Sequence, residues 1–325
     1  MMKILSTIAD NYALHNFHKK YSKKDQFNYN EEEVNKLNSD FSKFYKKPIL
    51  PKIHYEKDTT ENNYEIGKMK FLSEVENEDT NKEALFHYRK YLGTGNNINI
   101  IFIHGWKSET LHRLDKLFLD SFIGRRYNIY NYVQPFHMER TPDTSSYSGE
   151  YYISADVNRT LKSVQQSVSD IRALINYIKT EKEEKIIIIG LSLGGIVSNL
   201  LAETEENIDG LVSLFYGNDL SFTVFESEVG KYIKKDFLKN KFEYNLLKKN
   251  WSIINPSLRK PVIDIDKILL ISGKDDKVVL NKNTSLVWQN WQNSERYIYK
   301  CGHSGTALCK NRLRRDVLKF IDKRV

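Results

Sequence analysis

The first feature with chemical content is a serine among glycines, Gly190-Leu191-Ser192-Leu193-Gly194-Gly195, between the aliphatic run Lys185–Ile189 and an apolar-periodic segment. A strand that turns into a helix over so few residues needs glycine where side chains would meet neighbouring backbone. Such a turn strains the serine and presents its Oγ above the sheet. The start of the following helix favours negative charge and so stabilises an oxyanion. A serine hydroxyl is a weak nucleophile alone and needs a base within hydrogen-bond reach. His303, in Lys300-Cys301-Gly302-His303-Ser304-Gly305, sits in a glycine-flanked loop between the last strand-like segment and the last helix. The competing reading is an ordinary glycine-rich turn with an exposed serine, and a surface histidine.

The surrounding elements have to put these residues together. Asn97–His104, Tyr127–Val133, Lys185–Ile189, Ile208–Phe215, Lys267–Ser272 and Arg296–Tyr299 are short apolar, β-favouring runs. Between them, Val157, Leu161, Val164, Val168, Ile171, Leu174, Ile175 and Ile178 recur at helical spacing, and Ile196, Val197, Leu200 and Leu201 share another face. Leu286–Trp291 and Leu308–Ile321 supply further helices. Alternation of this kind predicts an α/β fold, a mostly parallel sheet with helices on both faces. The stretch at about 220–262 is too long for an ordinary connection and carries Val229, Ile233, Phe237, Leu247 and Trp251 among lysines, so it reads as a helical cap insertion. Residues 1–95 read as an N-terminal helical segment and a leading hairpin packed on the core, and 96–325 as the core itself. In that segment Ile4, Leu5, Ile8 and Tyr12 fall on one helical face, as do Val34, Leu37 and Phe41. Met69–Val75 and Ala84–Leu92, separated by Glu76–Lys82, predict the hairpin.

Strand, Gly190-Leu191-Ser192-Leu193-Gly194, then helix resembles the nucleophile elbow of the α/β-hydrolase superfamily, and the resemblance runs from about Asn97 to the C-terminus. It implies the chain order nucleophile, acid, histidine. The acid it implies is Asp276, since Gly273-Lys274-Asp275-Asp276 is similar to the family's Gly-x-x-Asp turn after the penultimate strand. Asp275 and, at the end of the preceding strand, Asp219 remain alternatives. His104-Gly105-Trp106 resembles the family's His-Gly loop, which implies the backbone N–H groups of Trp106 and Leu193 as an oxyanion hole. The alternative there is a structural turn with a buried tryptophan. Pro135–Pro142 is similar to a segment of poorly characterised bacterial α/β-hydrolases. Its His137 and Arg140 are candidate substrate-binding residues, against the plainer reading that Arg140 pairs with an acid and fixes the loop.

Composition narrows the function. Over 325 residues the net charge is +8, with lysines interspersed among glutamates as in Lys182-Glu183-Glu184-Lys185. That pattern reads as solvated surface rather than a nucleic-acid patch. No metal or cofactor is implied by any ligand spacing. No apolar run is long enough to cross a bilayer, and the early Asp10 interrupts any signal-peptide pattern. Two cysteines, Cys301 and Cys309, read as free thiols in a reducing compartment, so a cytoplasmic location is expected. The expected activity is serine hydrolysis of a small-molecule ester or related acyl bond through an acyl-enzyme. An acyltransferase with the same triad, or a catalytically silent binding protein on the same fold, are the alternatives.

Overall fold

A computed structural model of the chain describes residues 2–19, 21, 26–75, 77–94, 98–181, 184–292 and 294–324; Glu76, Asn97, Lys182 and Glu183 lie outside this set, as do the side chains of Ile4 and Leu5. In chain order the elements are helices α1 (Met2–Lys19), α2 (Glu31–Asn38) and α3 (Phe41–Phe44), then strands β1 (His54–Glu61), β2 (Tyr64–Leu72), β3 (Glu83–Tyr91) and β4 (Ile98–Ile103). Next come α4 (His112–Ile123), β5 (Asn128–Val133), α5 (Val157–Glu181), β6 (Lys185–Leu191), α6 (Leu193–Thr204) and β7 (Gly210–Leu214). The insertion supplies α7 (Leu220–Glu226), α8 (Lys231–Lys239) and α9 (Tyr244–Asn250). The chain closes with β8 (Ile268–Gly273), α10 (Asn281–Asn290), β9 (Glu295–Tyr299) and α11 (Lys310–Ile321).

The strands form one sheet in the order β1-β2-β3-β5-β4-β6-β7-β8-β9. The first four run antiparallel to one another, and β5 through β9 are parallel. β4, β6 and β8 are almost wholly aliphatic because both of their faces are covered. Successive residues divide between two cores: Ile101, Ile186, Ile188 and Leu270 meet α5, α6 and α10, while Ile100, Phe102, Ile187, Ile189 and Leu269 meet α4 and α11. Two packed faces and a three-helix insertion match the expected architecture.

Three elements differ from expectation. β1, His-Tyr-Glu-Lys-Asp-Thr-Thr-Glu, is an exposed edge strand with no buried residue; polar side chains keep such an edge from pairing with another chain. α4 is a helix beyond those expected, with Leu114, Leu117, Phe118 and Phe122 on its buried face. On α1 the two described residues of the expected apolar face are exposed, Ile8 at 57% and Tyr12 at 69%, whereas Ser6 and Asp10 are fully buried and Leu14 nearly so. Buried residues at 6, 10 and 14 are one stripe at i, i+4 spacing, in which Ser6 and Asp10 are held by hydrogen bonds and Leu14 by apolar packing.

Candidate active site

Sheet register brings the site-bearing loops together. Ile103 at the end of β4 pairs with Gly190 of β6, Leu191 pairs with Leu214 of β7, and Gly273 at the end of β8 pairs with Tyr299 of β9. The loops carrying His104–Trp106, Ser192, Asp276 and His303 therefore all leave the carboxyl edge of the parallel strands, where open α/β sheets bind ligands.

Ser192 joins β6 to α6 with φ +58° and ψ −112°, a left-handed conformation unfavourable for a residue with a side chain. Its N–H donates to the Leu214 carbonyl at 2.8 Å, which ties the turn to β7. The neighbouring glycines are steric necessities. A Cβ on Gly194 would overlap the Ile103 carbonyl, and one on Gly190 would overlap the Gly194 carbonyl and the Ser198 hydroxyl. Gly105 approaches from β4, where an added Cβ would sit 3.2 Å from Ser192 Cβ. Among the described residues the N–H groups of Trp106 and Leu193 donate to no protein acceptor, as expected for the first turn of a helix in the case of Leu193.

His303 Nδ1 lies 2.9 Å from Asp276 Oδ2. The other oxygen, Oδ1, accepts the Val278 and Val279 N–H groups at 2.9 and 2.7 Å, so this buried carboxylate has three donors. With a carboxylate at Nδ1, the ring carries its proton there and leaves Nε2 as the acceptor. Asp275 is half-buried, and its backbone N–H donates to the Cys301 carbonyl. Asp219 is committed elsewhere, accepting from Phe222 N–H and the Ser221 hydroxyl to cap α7. Of the three candidate acids, Asp276 is the one the structure brings to His303.

Ser192, Leu193, Trp106 and His303 line one cavity of about 140 Å³. Its other walls are mainly apolar: Leu220 and Val229 from the insertion, Ile196 from α6, and Ala13, Leu14 and Phe17 from α1. Trp106 is fixed edge-on against Phe17 and donates its indole N–H to the Gly149 carbonyl at 2.7 Å. His104 is buried behind the loop. Its Nδ1 faces the Gly105 carbonyl and its Nε2 accepts the Gln134 N–H, while burial lowers its pKa to about 4, so it holds the loop as a neutral ring.

His137 and Arg140 are brought close to the loop base but not to the cavity. His137 is fully buried with Nδ1 against the Pro135 carbonyl, and burial holds it neutral well below its ordinary pKa. Arg140, 2% exposed, donates to the Val133 and Asn81 carbonyls and the Tyr132 hydroxyl, with Asp170 at 3.5 Å. Neither contributes to the cavity lining, because both side chains are enclosed by the framework that supports it. Ser6 and Asp10 carry no sequence motif of site residues. Their side chains accept backbone N–H groups of the His303 loop, and hydropathy gave no signal of this. Cys301 and Cys309 are both free. Among the described residues no cluster of three or more His, Cys, Asp or Glu could hold a metal ion, and no helix is long and apolar enough to cross a membrane.

No family model matches the chain. The uncharacterized protein YdjC of Bacillus subtilis (strain 168) is 40% identical over 115 residues, which is 35% of this chain and 99% of YdjC. The chain belongs to the same family as YdjC. The uncharacterized protein Rv2627c of Mycobacterium tuberculosis (strain H37Rv) is 27% identical to this relative of YdjC over 186 residues, covering 55% of the chain and 42% of Rv2627c. Among solved structures, an acetyl xylan esterase from Paenibacillus sp. R4 superposes with a TM-score of 0.66 at 12% identity, over 97% of this chain and 99% of the esterase. Acetyl xylan esterase 1 from Thermoanaerobacterium superposes at 0.62 and 15% identity, over 89% and 93%. An acylaminoacyl peptidase of Pyrococcus horikoshii superposes at 0.59 and 13% identity, over 85% of this chain and 48% of the peptidase. At such identities the likeness is one of fold: the α/β-hydrolase fold shared by esterases and peptidases.

Proposed function

We propose that the protein is a serine hydrolase that cleaves a small carboxylic ester through an acyl-enzyme. The observation that carries the reading is the pairing of His303 with Asp276 at 2.9 Å on the cavity that also holds Ser192 in its left-handed turn. In this mechanism His303 Nε2 takes the Ser192 proton as Oγ attacks the ester carbonyl, and the Trp106 and Leu193 N–H groups receive the oxyanion. His303 then passes the proton to the departing alcohol. Water, deprotonated by the same ring, releases the carboxylic acid and restores Ser192. Asp276 keeps the tautomer and balances the imidazolium.

The cavity supports a short acyl group. A dry protein cavity of about 150 Å³ holds a benzene-sized molecule, so 140 Å³ of mainly apolar space suits chains of about six carbons or fewer. A panel of p-nitrophenyl esters from acetate to decanoate tests this. The expected result is highest kcat/KM among the short chains, with a loss of at least about a thousandfold in His303→Ala. Equal hydrolysis by wild type and His303→Ala contradicts the mechanism, and a preference for decanoate contradicts the cavity argument.

A further inference from the structure

We infer that Asp10, on the N-terminal helix α1, is a positioning residue of the active site, whose carboxylate holds the His303 loop and the Asp276 loop in register. The inference rests on the triad reading above and adds to it a part of the chain that bears no nucleophile, base or acid.

Asp10 is fully buried, and among the described residues its carboxylate is held by three backbone amides rather than by a direct ion pair with lysine or arginine. Oδ2 accepts the His303 N–H at 3.1 Å and the Lys277 N–H at 3.3 Å, and Oδ1 accepts the Ser304 N–H at 2.7 Å. Two of these donors belong to the loop of the base. The third follows directly on Asp276, so one carboxylate bridges the two loops whose side chains meet at His303 Nδ1. One turn earlier on α1, Ser6 Oγ accepts the Gly302 N–H. From the other side, Arg113 donates to the His303 carbonyl at 3.0 Å and to Thr306 Oγ1 at 3.1 Å.

The glycines that flank His303 have the same cause. A Cβ on Gly302 would overlap the Asp10 carboxylate, and one on Gly305 would come within 2.7 Å of Ser6 Oγ. The loop lies flush on α1 because those positions carry no side chain. Anchoring a helix does not need a buried carboxylate, since an apolar residue does so without desolvating a charge. What the carboxylate adds is direction: several acceptors fix where the backbone of His303 sits. Farther along the same helix, Ala13, Leu14 and Phe17 form a wall of the cavity, and Lys107 Nζ holds the Phe17 carbonyl at 2.8 Å. A single helix thus sets both the place of the base and the shape of the acyl site.

The test is the Asp10→Asn variant of the full chain, with p-nitrophenyl acetate as substrate and active sites counted by fluorophosphonate titration. Asparagine keeps the shape but turns an amide N–H towards backbone donors. The expected result is a kcat about 10- to 100-fold lower per titrated site, with KM within about twofold, since misplacing a catalytic group by about 1 Å costs on this order. A wild-type kcat per titrated site overturns the inference, as does a loss that disappears on normalisation, which marks a folding effect alone. If Asp10→Asn does not fold, Ser6→Ala decides: a kcat about 3- to 10-fold lower at unchanged KM supports the clamp, and an unchanged kcat overturns it. Wild-type protein that does not label at Ser192 refutes the triad and the clamp together, whereas labelling wild type with an unaffected Asp10 variant refutes the clamp alone.

Discussion

Exchanging Asp276 for asparagine separates the proposed roles of its two oxygens. Oδ1 accepts two backbone N–H groups, from Val278 and Val279, and Oδ2 faces His303 Nδ1. Asparagine has one oxygen. Placed at the Oδ1 position it keeps both backbone bonds, and placed at the Oδ2 position it turns its NH₂ against two donors. The first orientation is favoured by roughly the cost of leaving buried donors unsatisfied, about 1–3 kcal/mol for each. In that orientation the NH₂ donates to Nδ1, the imidazole proton moves to Nε2, and the ring can no longer accept from Ser192. The fold is retained, because the shape and the turn bonds survive, while kcat falls by about four orders of magnitude, or roughly 5.5 kcal/mol of barrier. The assay is steady-state hydrolysis of p-nitrophenyl acetate, with thermal melting to verify that Tm shifts by only a few degrees. Asp275→Asn is the companion variant and stays within about twofold of wild type. An Asp276→Asn enzyme with more than a tenth of the wild-type kcat, or an Asp275→Asn enzyme with none, refutes the reasoning.

Other consequences lie in the framework. Arg140→Ala leaves Asp170 buried without its cation, so a loss of about 3–5 kcal/mol is expected in urea denaturation; a loss below 1 kcal/mol shows that the Tyr132 and Ser73 hydroxyls suffice for the carboxylate. His104 has its pKa lowered by burial to about 4 from 6.5. Between these values the unfolded chain takes up a proton that the folded chain does not, so stability falls as the pH drops through that window and the effect levels off below it. The contribution is roughly 3 kcal/mol, and His137 acts in the same direction. Urea midpoints that do not change from pH 7 to pH 4 contradict this. Gly194→Ala drives a methyl into the backbone carbonyls of Ile103 and His104, and the expected result is little or no folded protein in circular dichroism; a folded, active variant shows that β4 can withdraw from the turn.

The parts of the site that could be read from sequence were those whose residue type and local context agree. Ser192 needed glycines and a strand-to-helix junction, and the buried aliphatic strands around it left no ambiguity of period. The candidate base His303 followed from its loop after the last strand, and the candidate acid Asp276 from the likeness of Gly273-Lys274-Asp275-Asp276 to a Gly-x-x-Asp turn. Asp275 stayed open beside it, because adjacent residues in a turn point differently and the Val278 and Val279 amides fix which one faces inward. α1 was legible as a helix, but Ile8 and Tyr12 of its apolar face are exposed. Ser6 and Asp10 are polar in type and buried by hydrogen bonds to a loop nearly 300 residues away, a relation hydropathy does not encode. His137 and Arg140 show the converse. Their place after a strand at the carboxyl edge suggested a role in the pocket, against the plainer reading that Arg140 pairs with an acid and fixes the loop; the structure agrees with the plainer one, with Arg140 3.5 Å from Asp170 and its other donors on enclosed backbone carbonyls. β1 left no trace because an exposed edge strand has no buried face to pattern.

The proposal that Ser192 is an activated nucleophile is tested most directly by mass spectrometry of the peptide that contains it after exposure to a fluorophosphonate. The account predicts one phosphonate per chain, on Ser192, abolished in Ser192→Ala and formed far more slowly in His303→Ala. Folded wild-type protein that stays unlabelled, or carries its adduct on another residue, contradicts it.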